Sequence, residues 1–78
     1  MSHTLASLQP GERGLICGFA QFDQFTQRLM QLGFVEGTEV KVLRRAPTGD
    51  PIEVELIGYA LSLRREEASA IYIDHVLT

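Results

Sequence analysis

The chain has 78 residues, a formal net charge of −3, 45% hydrophobic residues and a single cysteine. This length allows one domain, residues 1–78, and the hydrophobic fraction excludes a disordered chain. One cysteine excludes an internal disulfide, and the acidic balance disfavours long-range attraction to nucleic acid. No apolar run approaches the roughly 20 residues of a membrane span, and residues 1–14 lack the pattern of a signal peptide. A cytoplasmic location is therefore expected.

The first predicted elements are a short lead-in and a strand. Leu5 and Leu8 of the lead-in are expected to pack against the domain, and Pro10-Gly11 predicts a turn. Residues 14–19 predict a strand that is apolar on both faces, as a strand inside a closed barrel can be. Cys17 in this strand is expected to be a buried, inert thiol.

A change of hydrophobic period then predicts a helix over about residues 22–32. Four apolar side chains are spaced three, four and three residues apart: Phe22, Phe25, Leu29 and Leu32. The last three are expected to form the face that packs on the barrel core. Asp23 suits the helix N-terminus, and Gly33 followed by Phe34 predicts a Schellman ending.

Alternation of apolar and polar residues predicts three further strands, over about residues 39–43, 52–56 and 59–64. Between the first two, Pro47, Gly49 and Asp50 predict a structural hairpin turn. Residues 65–68 predict one helical or 3₁₀ turn, and residues 71–73 predict a last short strand. The fold class is therefore mostly β: a small antiparallel barrel of about five strands with one α-helix.

Patterns that carry catalysis or tight metal binding are absent from the sequence. The glycine-rich phosphate-binding patterns G-x-x-x-x-G-K-[ST] and G-x-G-x-x-G do not occur. No serine or cysteine has an evident base partner, so no catalytic residue is expected. The softer metal ligands are His3, Cys17 and His75, without Cys-x-x-Cys or His-x-x-x-His spacing. No metal site and no cofactor are expected, while weak binding of Fe²⁺ or another transition metal stays open.

Two pairs of arginines are the candidate contacts to a partner. Arg44 and Arg45 end a predicted strand, so their side chains should point to opposite faces, with at least one away from the core. Arg64 and Arg65 precede two glutamates, which favours local neutralisation. Small barrels bind RNA through basic patches with stacked aromatics, so a nucleic-acid-binding barrel stays open as an alternative.

Three stretches of the sequence, in order, resemble motifs of the FeoA family. Residues 29–40, LMQLGFVEGTEV, are similar to the family pattern LxxLGhxxGtxV. Residues 44–52, RRAPTGDPI, are similar to rrAPxGDPi, and residues 58–68, GYALSLRREEA, to GyxlaLRxxEA. The match runs from about Leu8 to Ile73, and three ordered motifs are more specific than any one of them.

The resemblance implies an SH3-like barrel that is an accessory or regulatory protein of bacterial ferrous iron uptake. Such a protein binds the ferrous iron transporter B, a membrane protein with a cytoplasmic GTPase domain, and supports Fe²⁺ transport without being an enzyme. It is then cytoplasmic, peripheral to the plasma membrane through the transporter, and without a nucleic-acid partner. A metal-binding sensor or chaperone is a further alternative, and a homo-oligomer stays open. The candidate partner contacts are Arg44, Arg45, Arg64, Arg65 and Tyr59.

Overall fold

An antiparallel sheet of six strands makes up most of the molecule. The computed structural model describes residues 3–77, and the side chains of residues 3–74. In chain order the elements are β1 (His3–Thr4), a 3₁₀ helix (Leu5–Ser7), β2 (Arg13–Phe19), α1 (Gln24–Gln31), β3 (Glu39–Arg45), β4 (Ile52–Leu56), β5 (Tyr59–Leu63), α2 (Arg65–Ser69) and β6 (Ile71–Leu77). The strands lie in the order β1-β6-β2-β3-β4-β5, and each neighbouring pair is antiparallel. The mostly β prediction is therefore confirmed.

The strand count exceeds the prediction by one short strand. His3 and Thr4 form β1 by pairing with β6, and two residues are too few to show an alternating pattern in a sequence. Leu5 and Leu8 are fully buried, as expected for the lead-in. None of the helices among residues 3–77 combines the length and apolar character that crossing a membrane would require.

The core is formed by the inward-facing side chains of the sheet together with the 3₁₀ helix and α1. In β3, Val40 and Val42 are fully buried, and in β4, Ile52 and Val54 are fully buried. Each such side chain contributes about 1.5–3 kcal/mol by leaving water. The alternation that predicted these strands therefore also identified their buried face.

β2 differs from the prediction, because it buries one face and not two. Gly14 and Ile16 are buried, whereas Cys17 is exposed. Successive side chains point to opposite faces of a strand, so placing Ile16 in the core directs the next residue to solvent. The expectation of a buried thiol at Cys17 is wrong.

The N-terminus of α1 is fixed by a reciprocal pair of hydrogen bonds. The Asp23 carboxylate accepts from the backbone N–H of Thr26 at 3.0 Å, and the Thr26 hydroxyl accepts from the backbone N–H of Asp23 at 2.9 Å. This capping box satisfies two backbone donors that a helix start leaves unpaired. It begins the helix at Gln24, two residues later than predicted.

The C-terminus of α1 has the predicted Schellman geometry. Gly33 has φ +110°, its N–H donates to the Met30 carbonyl at 3.0 Å, and the Phe34 N–H donates to the Leu29 carbonyl at 3.1 Å. Phe34 is fully buried in the same core cluster as Leu29. The motif ends the helix and turns the chain toward β3.

The buried face of α1 is rotated from the expected one. Of the three expected core positions, Leu29 is 1% exposed, whereas Phe25 and Leu32 are each 38% exposed, so the expectation for these two does not hold. Thr26 is fully buried instead. At about 100° per residue, the buried face is turned by roughly 60° from the apolar stripe. Thr26 can be buried because its hydroxyl already has partners within the capping box.

Candidate functional site

The β3–β4 hairpin carries the first group of candidate residues. The Ala46 N–H donates to the Pro51 carbonyl at 3.1 Å, and the Gly49 N–H donates to the Ala46 carbonyl at 2.7 Å. Gly49 has φ +88°, a conformation that glycine adopts without steric cost. The chain therefore reverses direction where the sequence pattern of proline, glycine and aspartate placed a turn.

Asp50 joins this hairpin to the start of α2. Its carboxylate accepts from the backbone N–H of Arg65 at 3.0 Å and lies 3.8 Å from the guanidinium of Arg64. The carboxylate thus satisfies a free donor at the N-terminus of α2 and neutralises a nearby cation. Asp50 acts on a segment 15 residues further along the chain, not on its own turn.

Arg44 and Arg45 point to opposite faces, and the structure gives them different roles. The Arg44 side chain is 80% exposed, and its Nε lies 2.8 Å from a carboxylate oxygen of Glu53 on β4. The Arg45 guanidinium instead points inward and donates to the backbone carbonyls of Ala6 and Leu8. Arg45 therefore fastens the 3₁₀ helix and the residues after it to β3. Nη2 of Arg45 is thus engaged within its own chain, and a contact between Arg45 and a partner stays a prediction.

The other two candidate arginines, Arg64 and Arg65, lie at the surface. The Arg64 side chain is 75% exposed and lies next to Asp50, and Arg65 is exposed. Arg44 and Arg64 each have a carboxylate within 4 Å. A basic patch whose charges are partly neutralised attracts a phosphate backbone weakly.

An exposed apolar surface surrounds Tyr59, and apart from this tyrosine its residues were not predicted from the sequence as partner contacts. Phe22 is 76% exposed, Ile57 is 81% exposed, and Val35 and Tyr59 are each 44% exposed. Together with Met30, which is partly buried, these side chains are called here the apolar surface. Contiguous exposed apolar patches on small proteins mark interaction sites more often than isolated exposed side chains do.

Two adjoining grooves show that the apolar surface is continuous. One groove, of about 210 Å³, is lined by Phe22, Met30 and Val35 together with residues 18, 19 and 36. The other, of about 230 Å³, is lined by Val35, Ile57 and Tyr59 together with residues 33, 38 and 56. Val35 lies in both grooves, so apolar side chains extend from the start of α1 to the β4–β5 hairpin.

Tyr59 holds the second groove in shape. Its hydroxyl donates to the Leu32 carbonyl at the end of α1, where a helix leaves its last carbonyls unpaired. A side-chain carbon added at Gly33 would come within 3.0 Å of the same hydroxyl oxygen. The close approach of the β4–β5 hairpin to α1 thus depends on a tyrosine on one side and a glycine on the other.

The candidate metal ligands do not come together within the part of the chain whose side chains are described. Residues 3–74 contain no group of three or more histidine, cysteine or acidic side chains placed to hold a metal ion. Cys17 is exposed on β2, and His3 is exposed on β1. The side chain of His75 lies outside the described residues.

Comparison with known proteins agrees with the motif resemblance over nearly the full chain. The model of the FeoA domain family matches residues 3–75. A fusion protein of Fe(2+) transport protein A with the Fe(2+) transporter FeoB, from Porphyromonas gingivalis, is 33% identical over 70 residues. That match covers 90% of this chain and 8% of the fusion protein, so the chain spans a small fraction of this relative.

Solved structures of similar proteins share the fold. The FeoA-like protein of Clostridium acetobutylicum is 32% identical with a TM-score of 0.89, and the alignment covers 99% of this chain and 90% of that one. The zinc-complexed FeoA of Stenotrophomonas maltophilia, described as an SH3 domain protein, is 29% identical with a TM-score of 0.83. That alignment covers 92% of this chain and 89% of the other. The family model and these likenesses over almost all of its length show that the chain belongs to the FeoA family, whose described members are linked to ferrous iron transport.

Proposed function

We propose that this chain is a non-catalytic accessory protein of ferrous iron uptake that binds the ferrous iron transporter on its cytoplasmic side. The observation that carries the proposal is the Porphyromonas gingivalis relative, in which a domain 33% identical to this chain is fused to the transporter FeoB. A covalent link keeps two modules at a high effective concentration, which favours even a weak contact between them. A separate chain of the same family needs a surface that supplies this contact without the link.

The apolar surface is the part of the molecule best suited to the centre of such a contact. Ile57 lies at the tip of a hairpin and is 81% exposed, so burying it removes much apolar area from water. Tyr59 adds an aromatic ring of the kind that dominates binding energy at interfaces. Val35 lines both grooves, so a partner that fills both contacts one continuous apolar surface, with Glu36 at the border of the first groove.

Arg44, Arg64 and Arg65 have the character of residues at the edge of such an interface. Each is exposed, and arginine is enriched at interfaces. Because Arg44 and Arg64 already lie beside Glu53 and Asp50, their charges contribute more to orientation and association rate than to affinity. The proposal therefore assigns most of the binding free energy to the apolar surface.

Co-purification with the transporter from the same bacterium tests this function. The tagged chain is expected to retain the transporter from solubilised membranes, and Val35→Ser combined with Ile57→Ser is expected to reduce retention about tenfold or more. Cys17→Ser is the matched control, since it places the same polar residue at an exposed site on β2. Failure of the natural chain to retain the transporter, or equal retention by the double variant, would contradict the proposal.

A further inference from the structure

The outer edge of β5 carries backbone groups that no other strand among residues 3–77 uses. Within residues 3–77, β5 is the last strand of the sheet and pairs only with β4. A two-residue turn joins the two strands, with Leu56 opposite Tyr59. The two residues of this pair, and of every second pair after it, exchange backbone hydrogen bonds across the strands. The N–H and C=O groups of Ala60 and Ser62 therefore point away from β4. Both residues are exposed, so this edge is open to another strand.

The β5 edge has none of the features that normally prevent strand pairing. Its sequence, YALSL, contains no charged residue and no proline, and its register with β4 is free of bulges. Bulges do occur where β2 pairs with β6 and where β3 pairs with β4. At the opposite edge of the sheet, the described part of β1 has two residues. Among the edge strands within residues 3–77, β5 is the one that combines length, regularity and an uncharged sequence.

The charges beside this edge match a second copy of the same chain. Glu55 lies next to Ala60 on the neighbouring strand, toward the start of β5, and is exposed. Arg64 follows the end of β5, and its side chain is 75% exposed. An antiparallel copy reverses the direction of the edge, so the basic end of one copy meets the acidic end of the other. At Glu55 and Arg64 an antiparallel pair therefore brings opposite charges together, while Glu53 beside Ser62 is paired with Arg44 of its own chain.

We propose that two copies of this chain associate through antiparallel pairing of their β5 strands around a twofold axis at Leu61. In this arrangement Ala60 lies opposite Ser62 of the partner subunit, and Ser62 lies opposite Ala60 of the partner subunit. These are two hydrogen-bonded pairs, each exchanging two backbone hydrogen bonds. The side chains opposite each other on the outer face are small, and the two Leu61 side chains meet on the inner face. The pairing joins the two sheets into one.

The same arrangement places opposite charges within reach of each other. The α-carbons of Arg64 and of Glu55 of the partner subunit would be two strand spacings and two residues apart, roughly 12 Å. An extended arginine and a glutamate together span about this distance. The contact occurs twice by symmetry. Because strand-edge pairing buries less area than a standard interface, the dimer is weak and its population rises with concentration.

Sedimentation equilibrium over a range of protein concentrations tests the dimer, with thermal melts to verify folding. The natural chain is expected to shift from monomer to dimer as its concentration rises. Ala60→Pro removes an outward N–H that β4 does not use, so it should leave the fold intact and the chain monomeric. Ala60→Val, the matched control, keeps the N–H and should keep the dimer. Glu55→Lys is expected to raise the dissociation constant roughly 2- to 30-fold through two symmetric contacts.

Three results would overturn the β5 dimer. One is a natural chain that stays monomeric up to about millimolar concentration, and another is an Ala60→Pro variant that is folded and dimerises like the natural chain. The third is a dimer that is lost in Ile57→Ser but kept in Ala60→Pro, which would assign self-association to the apolar surface. If Ala60→Pro does not fold, Glu55→Lys decides, and an unchanged dissociation constant refutes the pairing. The dimer does not depend on the proposed transporter contact, so either can fail alone.

Discussion

Replacing the two adjacent arginines one at a time gives a sharp test of how this sequence uses its charges. Arg45→Met is expected to destabilise the protein strongly, whereas Arg44→Met should change stability little. The two substitutions are chemically identical and occupy neighbouring positions on β3. They differ in exposure and in what the guanidinium contacts: Arg45 is partly buried and donates to the carbonyls of Ala6 and Leu8, whereas Arg44 is exposed and lies beside the carboxylate of Glu53.

The expected magnitudes follow from these contacts. A hydrogen bond to a charged donor contributes about 1.5–3 kcal/mol, and partial exposure of Arg45 lowers this, so the loss of both is about 2–4 kcal/mol. At about 0.05–0.15 kcal/mol per residue, a chain of 78 residues has a free energy of unfolding of roughly 4–12 kcal/mol. Arg45→Met should thus remove a large part of the stability and lower Tm on the order of 10 °C or more. The exposed Arg44 pair contributes about 0–1 kcal/mol.

Equilibrium unfolding in urea, followed by circular dichroism, measures both variants against the natural chain. We expect Arg45→Met to lower the urea midpoint without changing the slope, because the variant and the natural chain expose similar surface areas on unfolding. Equal, small effects of the two substitutions would refute the conclusion that Arg45 fastens the lead-in to β3. A larger effect of Arg44→Met would reverse the roles of the two side chains.

Three further predictions concern stability and use the same unfolding measurement. Leu29→Ala is expected to lower the free energy of unfolding by about 2–5 kcal/mol, and Phe25→Ala by only about 1–2 kcal/mol because its ring is partly exposed. A larger loss for Phe25→Ala would mean that Phe25 packs in the core, as the sequence pattern predicted. Asp50→Ala should cost about 0.5–2 kcal/mol by leaving the Arg65 N–H without its acceptor, and an unchanged midpoint would mean that water replaces it. Gly33→Ala should cost roughly 1–3 kcal/mol, because φ is +110° and Tyr59 is close; a neutral result would show that the turn adapts freely.

Features set by neighbouring residues could be predicted from the sequence. The alternation of Val40 with Val42, and of Ile52 with Val54, identified both the strands and their buried face. Gly33 followed by Phe34 identified the end of α1, because a Schellman motif involves only the last turn and the two residues after it. These patterns act over a few residues, so the sequence contains all the information that they need.

Features that depend on distant partners could not be predicted in the same way. The role of Arg45 depends on carbonyls 37 and 39 residues earlier in the chain, and that of Asp50 on an amide 15 residues later. Thr26 was not among the expected core positions, although its hydroxyl is satisfied locally. Cys17 was expected to be buried because it lies in the middle of a strand predicted to be apolar on both faces. In each case the deciding contact or orientation follows from packing, which a pattern of residue types does not encode.

The residues of the candidate site also fall into those that could be predicted from the sequence and those that could not. Arginines stand out in a sequence, so Arg44 and Arg64 were found as exposed cations, but their carboxylate neighbours on adjacent segments were not. The apolar surface was missed because an isoleucine or phenylalanine is ordinarily assigned to the core. Ile57 does carry a signal in the sequence, because it is an apolar residue in a two-residue turn, where side chains usually face solvent. Phe22 precedes α1, which begins at Gln24 and not at the predicted residue 22, so its exposure could be seen only in the structure.

The affinity of this chain for its transporter, measured on purified protein in a lipid bilayer, tests the central claim most directly. The natural chain, Cys17→Ser and the combined Val35→Ser and Ile57→Ser variant are compared by titration under one set of conditions. We expect the first two to bind with equal dissociation constants and the combined variant to bind about tenfold or more weakly, with its melting temperature retained. Equal binding by all three would contradict a contact centred on the apolar surface, and no binding by the natural chain would contradict the accessory function itself.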